Sequence, residues 1–121
     1  MRYYETLLET DRGGFNVIVD KTYEEMSPRD CFDDAVSDID EIIKDIDRGH
    51  LDWFMLRVRV FFEDLELASS YLGGMLYEDP TECLTDGAAE DMIAEALAEA
   101  RARIPTLIAG LSKLPVDKET A

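Results

Sequence analysis

The segment 52–62, DWFMLRVRVFF, constrains the fold more than any other part of the sequence. As a β-strand it would have one fully apolar face, made of Phe54, Leu56, Val58, Val60 and Phe62. Its other face would carry Trp53, Met55, Arg57, Arg59 and Phe61. A strand of this kind needs neighbouring strands to pair with and a second layer to cover its apolar face.

Three more strands are predicted around it. Segments 2–10 and 15–23 are rich in β-forming residues and flank a turn with two adjacent glycines, so they predict a β-hairpin. A turn near Glu63 and Asp64 leads to a strand over about 66–77. The pair Gly73-Gly74 inside that strand indicates a bulge or a close backbone approach.

Two long amphipathic helices complete the chain. Ser27 suits an N-cap and Pro28 a first helical position, and apolar residues three and four apart predict a helix of about five turns that ends at Gly49. A second helix should begin at Thr85 or Asp86, and Pro105 should break or kink it.

The order ββαββα predicts an α+β fold with one antiparallel four-stranded sheet and two long amphipathic helices packed on one face. We expect residues 1–115 to form a single α+β domain and 116–121 to be a flexible C-terminal tail. The sequence shows no signal-peptide core and no apolar stretch long enough to span a bilayer, which predicts a soluble protein. Cys31 and Cys83 are expected to be buried thiols in a reducing cytoplasm, although two cysteines could form a disulfide.

The charge balance is unusual for a chain with a normal apolar content. Twenty-eight acidic residues against twelve basic ones leave a net charge of −16. Such a field repels phosphate backbones and anionic membrane surfaces. We therefore expect neither direct nucleic-acid binding nor membrane binding, and a basic protein as partner.

No pattern of catalytic or ligand-binding residues stands out. The single histidine, His50, lies at a helix end and has no Ser or Cys context of a catalytic triad. The glycine pairs do not match phosphate-binding loops, and the acids from Asp45 onward do not match a calcium loop. We expect no enzyme activity, no cofactor and no metal site.

Acidic residues recur at helical spacing in both predicted helices. The first row is Asp30, Asp34, Asp38, Glu41 and Asp45, and the second is Asp91, Glu95 and Glu99. A solvated helix face explains many such rows. However, like charges four residues apart destabilise a helix, and Asp is a poor helix former, so stability alone does not favour these residues. The rows are candidate partner-binding surfaces.

The face of Trp53, Met55, Arg57, Arg59 and Phe61 is a candidate self-association surface, because Trp, Met and Arg are enriched at interfaces. The alternatives are a sheet face covered by the segment after Pro105, or arginines that the protein's own acids neutralise.

A small, strongly acidic α+β chain with carboxylate rows resembles the phage- and plasmid-encoded anti-defence inhibitors, such as acidic anti-CRISPR and anti-restriction proteins. The resemblance implies a non-enzymatic inhibitor that acts as a DNA mimic. It would bind a basic nucleic-acid-binding surface of a host defence complex or nuclease and present carboxylates where phosphates would sit. Two alternatives remain open, namely an immunity or antitoxin protein that neutralises a basic toxin, and a homodimeric scaffold or adaptor.

Overall fold

The computed structural model describes residues 3–32 and 38–115. Four strands form one antiparallel sheet in the order β1-β2-β3-β4. Their bounds are β1 Tyr4–Arg12, β2 Phe15–Tyr23, β3 Asp52–Phe62 and β4 Leu65–Tyr77. The predicted α+β class and the four-stranded antiparallel sheet are confirmed.

The α-helices lie in the two segments where helices were predicted. They are α1 Pro28–Cys31, α2 Ile39–Asp47 and α3 Ala88–Ser112. A short 3-10 helix, Pro80–Leu84, precedes α3 in a segment for which no helix was predicted. The predicted tail, 116–121, lies outside the described residues.

The hydrophobic core lies between α3 and one face of the sheet. The sheet contributes side chains that alternate along the strands, as the sequence predicted: Phe15, Val17, Val19, Phe54, Leu56, Val58 and Val60. The helix contributes Ala89, Met92, Ile93, Ala96, Leu97 and Ala100. The three alanines are at most 1% exposed, so small side chains allow α3 to lie close to the sheet.

The glycine pair in β4 forms the predicted bulge. Phe54 pairs with Met75 and Leu56 pairs with Leu72, so Gly73 and Gly74 lie opposite a single residue of β3. The buried side chain of Glu24 accepts a hydrogen bond of 3.1 Å from the Gly74 amide. The carboxylate thereby satisfies an amide that the bulge removes from the sheet ladder.

The prediction of one continuous first helix is wrong. Helix α1 ends at Cys31, because Phe32 has an extended backbone (φ −107°, ψ 141°) and its ring packs 5.8 Å from that of Trp53. Asp38, which precedes α2, has a left-handed backbone (φ 70°). The segment between the two helices is rich in Asp, which disfavours helix and lowers the cost of such a break. Gly49 follows the end of α2 with φ 81°, as predicted for the helix end.

Of the two predicted effects of Pro105, a break or a kink, the break does not occur. Helix α3 continues through it to Ser112. A proline removes the hydrogen bond to the carbonyl four residues earlier, here that of Arg101. Both residues are exposed, so water can satisfy this carbonyl, while Ile104 and Leu107 pack against the core on the opposite side.

Only α3 is confirmed as a helix packed on the predicted face of the sheet. The isoleucines of α2 are half-buried and do not belong to the core cluster under α3. Ile43 and Ile46 line a hollow of about 340 Å³ together with Pro28 and Trp53. Because Trp53 alternates with the core residue Phe54 along β3, α2 is associated with the side of the sheet on which Trp53 lies.

Candidate protein-interaction surfaces

The second predicted row, Asp91, Glu95 and Glu99, lies on the solvent side of α3; we call it the α3 acidic row. Residues four apart in an α-helix are about 6 Å apart along the axis, so the row extends over about 12 Å. All three side chains are exposed and receive no hydrogen bond or ion pair from the described residues. The row is a continuous, uncompensated strip of negative charge.

The cations nearest to this row are used elsewhere. Arg103 is four residues after Glu99, the spacing of a helical ion pair, but its Nη1 donates a hydrogen bond of 2.5 Å to the Leu67 carbonyl. The Arg101 guanidinium lies 5.9 Å from the centre of the Phe15 ring. The two arginines of α3 therefore contact the sheet, although both residues are exposed, and its row of acids faces solvent.

Two contacts fix the N-terminal end of α3 against the sheet. The Tyr77 hydroxyl donates to Asp86 (2.5 Å), and Asp86 accepts from the Ala88 amide (2.9 Å). The bond to the carboxylate raises the pKa of Tyr77 to about 12, and the same bond lowers the pKa of Asp86. Arg12 forms a two-pronged pair with Glu90, with distances of 3.0 and 2.8 Å, which raises the pKa of Arg12 and lowers that of Glu90.

Two different surfaces adjoin the α3 acidic row, one made of small side chains and one made of large apolar side chains. Ala94, Ala98 and Ala102 are exposed between the acids, so no bulky side chain stands above the carboxylates. Towards the C-terminal end of α3, the apolar stripe that packs against the sheet becomes exposed. There it borders a groove of about 310 Å³ that we call the apolar groove, lined by Phe62, Leu65, Leu67, Ile104, Leu107, Ile108 and Leu111.

The first predicted acidic row does not form one helix face. Asp30 lies in α1, Asp34 lies outside the described residues, and Asp38 precedes α2 with a non-helical backbone. Glu41 and Asp45 alone share α2. The prediction of five carboxylates on one face is wrong, because it assumed a continuous helix.

The acids of α2 are also partly compensated. Asp45 lies 3.7 Å from an Arg48 nitrogen and 3.8 Å from Nδ1 of His50. The neighbouring Asp40 forms an ion pair with Arg29 of α1. This part of the chain therefore offers less free negative charge than the α3 acidic row does.

The face of β3 that was predicted for self-association contains an internal ion cluster. Asp20 has a side chain only 2% exposed and accepts from Arg57 Nε (3.1 Å), Arg57 Nη2, Arg59 Nη2 (3.0 Å) and Thr6 Oγ1 (3.2 Å). The Arg57 guanidinium also lies 3.5 Å from the centre of the Tyr4 ring. Both arginines thus pair with the protein's own Asp20, in line with the structural alternative to self-association, although this single carboxylate balances only one of the two positive charges.

Trp53 is not exposed on this face. It is 9% exposed, its indole donates a 2.8 Å hydrogen bond to the Met26 carbonyl, and its ring packs against Phe32. Met55 and Phe61 are half-buried. A contact with a second copy of the chain through this face would therefore have to use Met55 and Phe61, because Trp53 is covered and the two arginines pair with Asp20.

The remaining groups to consider are the potential metal ligands and the two cysteines. Among the described residues, no group of three or more His, Cys, Asp or Glu side chains is arranged to hold a metal ion. Both cysteines are free, and Cys31 is exposed, contrary to the expectation that both are buried. Burial raises the pKa of the Cys83 thiol to about 11. None of the described helices is long and apolar enough to cross a membrane.

No protein family model, curated protein or solved structure matches the chain. The spacing of acids in the sequence predicted the α3 acidic row, but no pattern considered there predicted the roles of Asp20 and Glu24, which are buried acids. A signal for Asp20 was available, since an acid in the middle of β2 and two arginines in the middle of β3 are typical of a cross-strand ion cluster.

Proposed function

We propose that this protein is a non-enzymatic inhibitor that binds a basic, nucleic-acid-binding surface of another protein through the α3 acidic row, in the manner of a DNA mimic. A host defence complex or a nuclease has a surface of this kind. The observation that carries the proposal is that Asp91, Glu95 and Glu99 are exposed at regular spacing while the neighbouring Arg101 and Arg103 contact the sheet. The field of such a row attracts a basic groove and accelerates association with it.

The charge density sets a limit on the mimicry. The row supplies one carboxylate per about 6 Å of axis, whereas one strand of DNA supplies one phosphate per about 3.4 Å. One helix therefore reproduces about half the charge density of a strand. We expect the exposed acids of α2, such as Glu41 and Asp47, to add to the field rather than to extend the row.

A pull-down from host lysate across a series of salt concentrations tests the proposal. We expect the chain to retain basic, nucleic-acid-binding proteins at low salt and to release them at high salt, because exposed ion pairs are screened. The variant Asp91→Asn/Glu95→Gln/Glu99→Gln should lose this retention while its fold is unchanged. The matched control, Glu9→Gln/Glu78→Gln/Glu82→Gln, removes the same number of charges from exposed residues outside α2 and α3 and should retain the partner. Equal retention by the two variants would refute the role of the row.

The two alternatives from the sequence stay predictions. An immunity or antitoxin protein would use the same row against a basic toxin, and relief of that toxin's lethality on co-expression would distinguish it. A homodimeric scaffold has less support, because Arg57 and Arg59 pair with Asp20 and Trp53 is covered. Sedimentation of the purified chain tests it directly.

A further inference from the structure

The apolar groove lies where the apolar stripe of α3 continues beyond the core. Along the first half of the helix this stripe is buried against the sheet. At Ile104 and Leu107 it is half-buried, and at Ile108 and Leu111 it is 60% and 56% exposed. The spacing of three and four residues is unchanged, so the helix keeps a face for packing that no described element covers.

The opposite wall of the groove is the turn between β3 and β4. Phe62 is 54% exposed and Leu65 is 49% exposed, so large apolar side chains border the groove on both sides. All of its lining residues are apolar. Such a groove accepts a ridge of apolar side chains, and it gives no hydrogen-bonding partner to a polar ligand.

The rim of the groove is acidic. The turn that joins Phe62 to Leu65 consists of Glu63 and Asp64. Both are exposed and have no ion-pair partner among the described residues. On the helix side, Arg103 donates to the Leu67 carbonyl, and its single positive charge leaves the two acids of the turn in excess. An apolar groove with an unpaired acidic rim is complementary to a segment with Lys or Arg beside apolar residues.

From this charge pattern and helical spacing, we propose that the apolar groove binds an amphipathic helix of the partner protein whose apolar ridge is flanked by Lys or Arg. Helices pack by setting the ridge of one against the grooves of the other, and the exposed spacing of α3 provides such a surface. A second copy of this chain fits less well, because a symmetric contact would bring the rims of Glu63 and Asp64 together. The proposal deepens the proposed function, on which it rests for the basic character of the partner.

Binding of a labelled peptide to the full chain, followed by fluorescence anisotropy, tests the groove without the natural partner. The probe is an amphipathic peptide of about 16 residues with leucines three and four apart and lysines elsewhere. The same peptide with glutamate in place of lysine is its counterpart. We expect the lysine peptide to bind and the glutamate peptide to bind at least about tenfold more weakly, because only the former matches the rim.

Variants of the chain then locate the site. Ile108→Gln/Leu111→Gln should weaken binding of the lysine peptide by about tenfold or more, since both side chains line the groove. Both are more than half exposed, so the fold should tolerate the change. The matched control, Thr106→Gln/Ala109→Gln, alters exposed residues of the same helix outside the groove lining and should bind as the parent does.

The outcomes separate this proposal from the proposed function. Glu63→Gln/Asp64→Asn should weaken binding of the lysine peptide, whereas neutralising the α3 acidic row should affect this binding less than neutralising the rim does. Equal binding by the groove variant and its control would overturn the groove proposal and leave the test of the acidic row unaffected. Self-association that the groove variant abolishes would assign the groove to a second copy. Peptide binding that requires removal of 116–121 would assign it to the chain's own C-terminal segment, and either result overturns the proposal.

Discussion

Replacing Asp20 by Asn should strongly destabilise the protein. The change preserves the size of the side chain but removes the charge that two arginines share. In the folded protein Arg57 is 12% exposed and Arg59 is 24% exposed, so neither can be fully hydrated when its counter-charge is lost. Since an uncompensated charge that is largely buried is costly, the folded state should lose stability relative to the unfolded chain.

The magnitude follows from the burial of the cluster. Removing one partner of a buried ion pair costs about 3–5 kcal/mol. The arginines retain some contact with water, and the Asn oxygen can still accept from one of them, so the lower end of about 3 kcal/mol applies. With a typical urea dependence of about 2 kcal/mol per molar, this corresponds to a midpoint lower by about 1.5 M.

Urea unfolding followed by the fluorescence of Trp53 measures this loss. Trp53 is the only tryptophan in the chain and is buried, so its emission reports unfolding. Asp52→Asn is the matched control, because Asp52 also pairs with a cation but its side chain is 33% exposed. Pairs near the surface contribute about 0–1 kcal/mol, so the control should shift the midpoint by at most about 0.5 M.

Comparable midpoint shifts for the two variants would refute this reasoning. They would mean that the Asp20 cluster is hydrated like a surface pair, and that its arginines are available to a partner. If Asp20→Asn is unfolded, the result agrees with the prediction but gives no midpoint. The triple variant Asp20→Asn/Arg57→Met/Arg59→Met then tests the cause of the loss. Removing all three charges should restore part of the stability, because apolar residues of similar size replace buried ion pairs at little cost.

Three further predictions concern single positions. The hydrogen bond from Tyr77 lowers the pKa of Asp86. Because the pKa of this carboxyl group is lower in the folded than in the unfolded protein, the ionised group stabilises the fold fully at neutral pH, and this stabilisation is lost as the pH falls through the folded pKa. The urea midpoint of Asp86→Asn should therefore be lower than that of the parent at neutral pH, and the difference should shrink below about pH 4; a difference that is constant with pH would contradict the assignment. Glu24→Ala leaves the bulge amide in β4 without its acceptor and should cost about 1–3 kcal/mol, whereas Glu24→Gln keeps an acceptor and should cost less in the same assay. Ala96→Leu should cost about 1–3 kcal/mol by overpacking, since Ala96 is 0% exposed between α3 and the sheet; an unchanged midpoint would show that the helix can move away from the sheet.

Much of the fold could be predicted because the strands have recognisable local sequence patterns. The alternation in 52–62 gave the bounds of β3 as the structure has them, and the glycine pair gave the bulge in β4. Both features depend on side chains within a few residues of one another. The same holds for the end of α2 at Gly49, where a positive φ is required.

The first helix could not be predicted from periodicity, because a tertiary contact competes with it. The apolar spacing from Phe32 to Ile46 fits one helix, but Phe32 leaves the helix to pack on Trp53. The low helix propensity of Asp was visible in the sequence and predicts a weak point in this segment. Whether the helix breaks at this point depends on the contact with Trp53. This residue lies 21 positions after Phe32, so no local pattern contains it.

The distribution of the basic side chains explains why a strongly acidic chain can leave one strip of charge uncompensated. Across the described residues, most cations make contacts within the fold, whether with Asp20, with Glu90, with Asp52 or with the carbonyl of Leu67. These cations stabilise the sheet and its contacts with α3, and they are therefore not available to screen the outer side of that helix. Folding leaves the acids on the outer side of α3 without a counter-charge, because these cations are held in contacts elsewhere in the fold. The same separation predicts that adding salt affects partner binding more than it affects unfolding, since exposed charges are screened and buried pairs are screened much less.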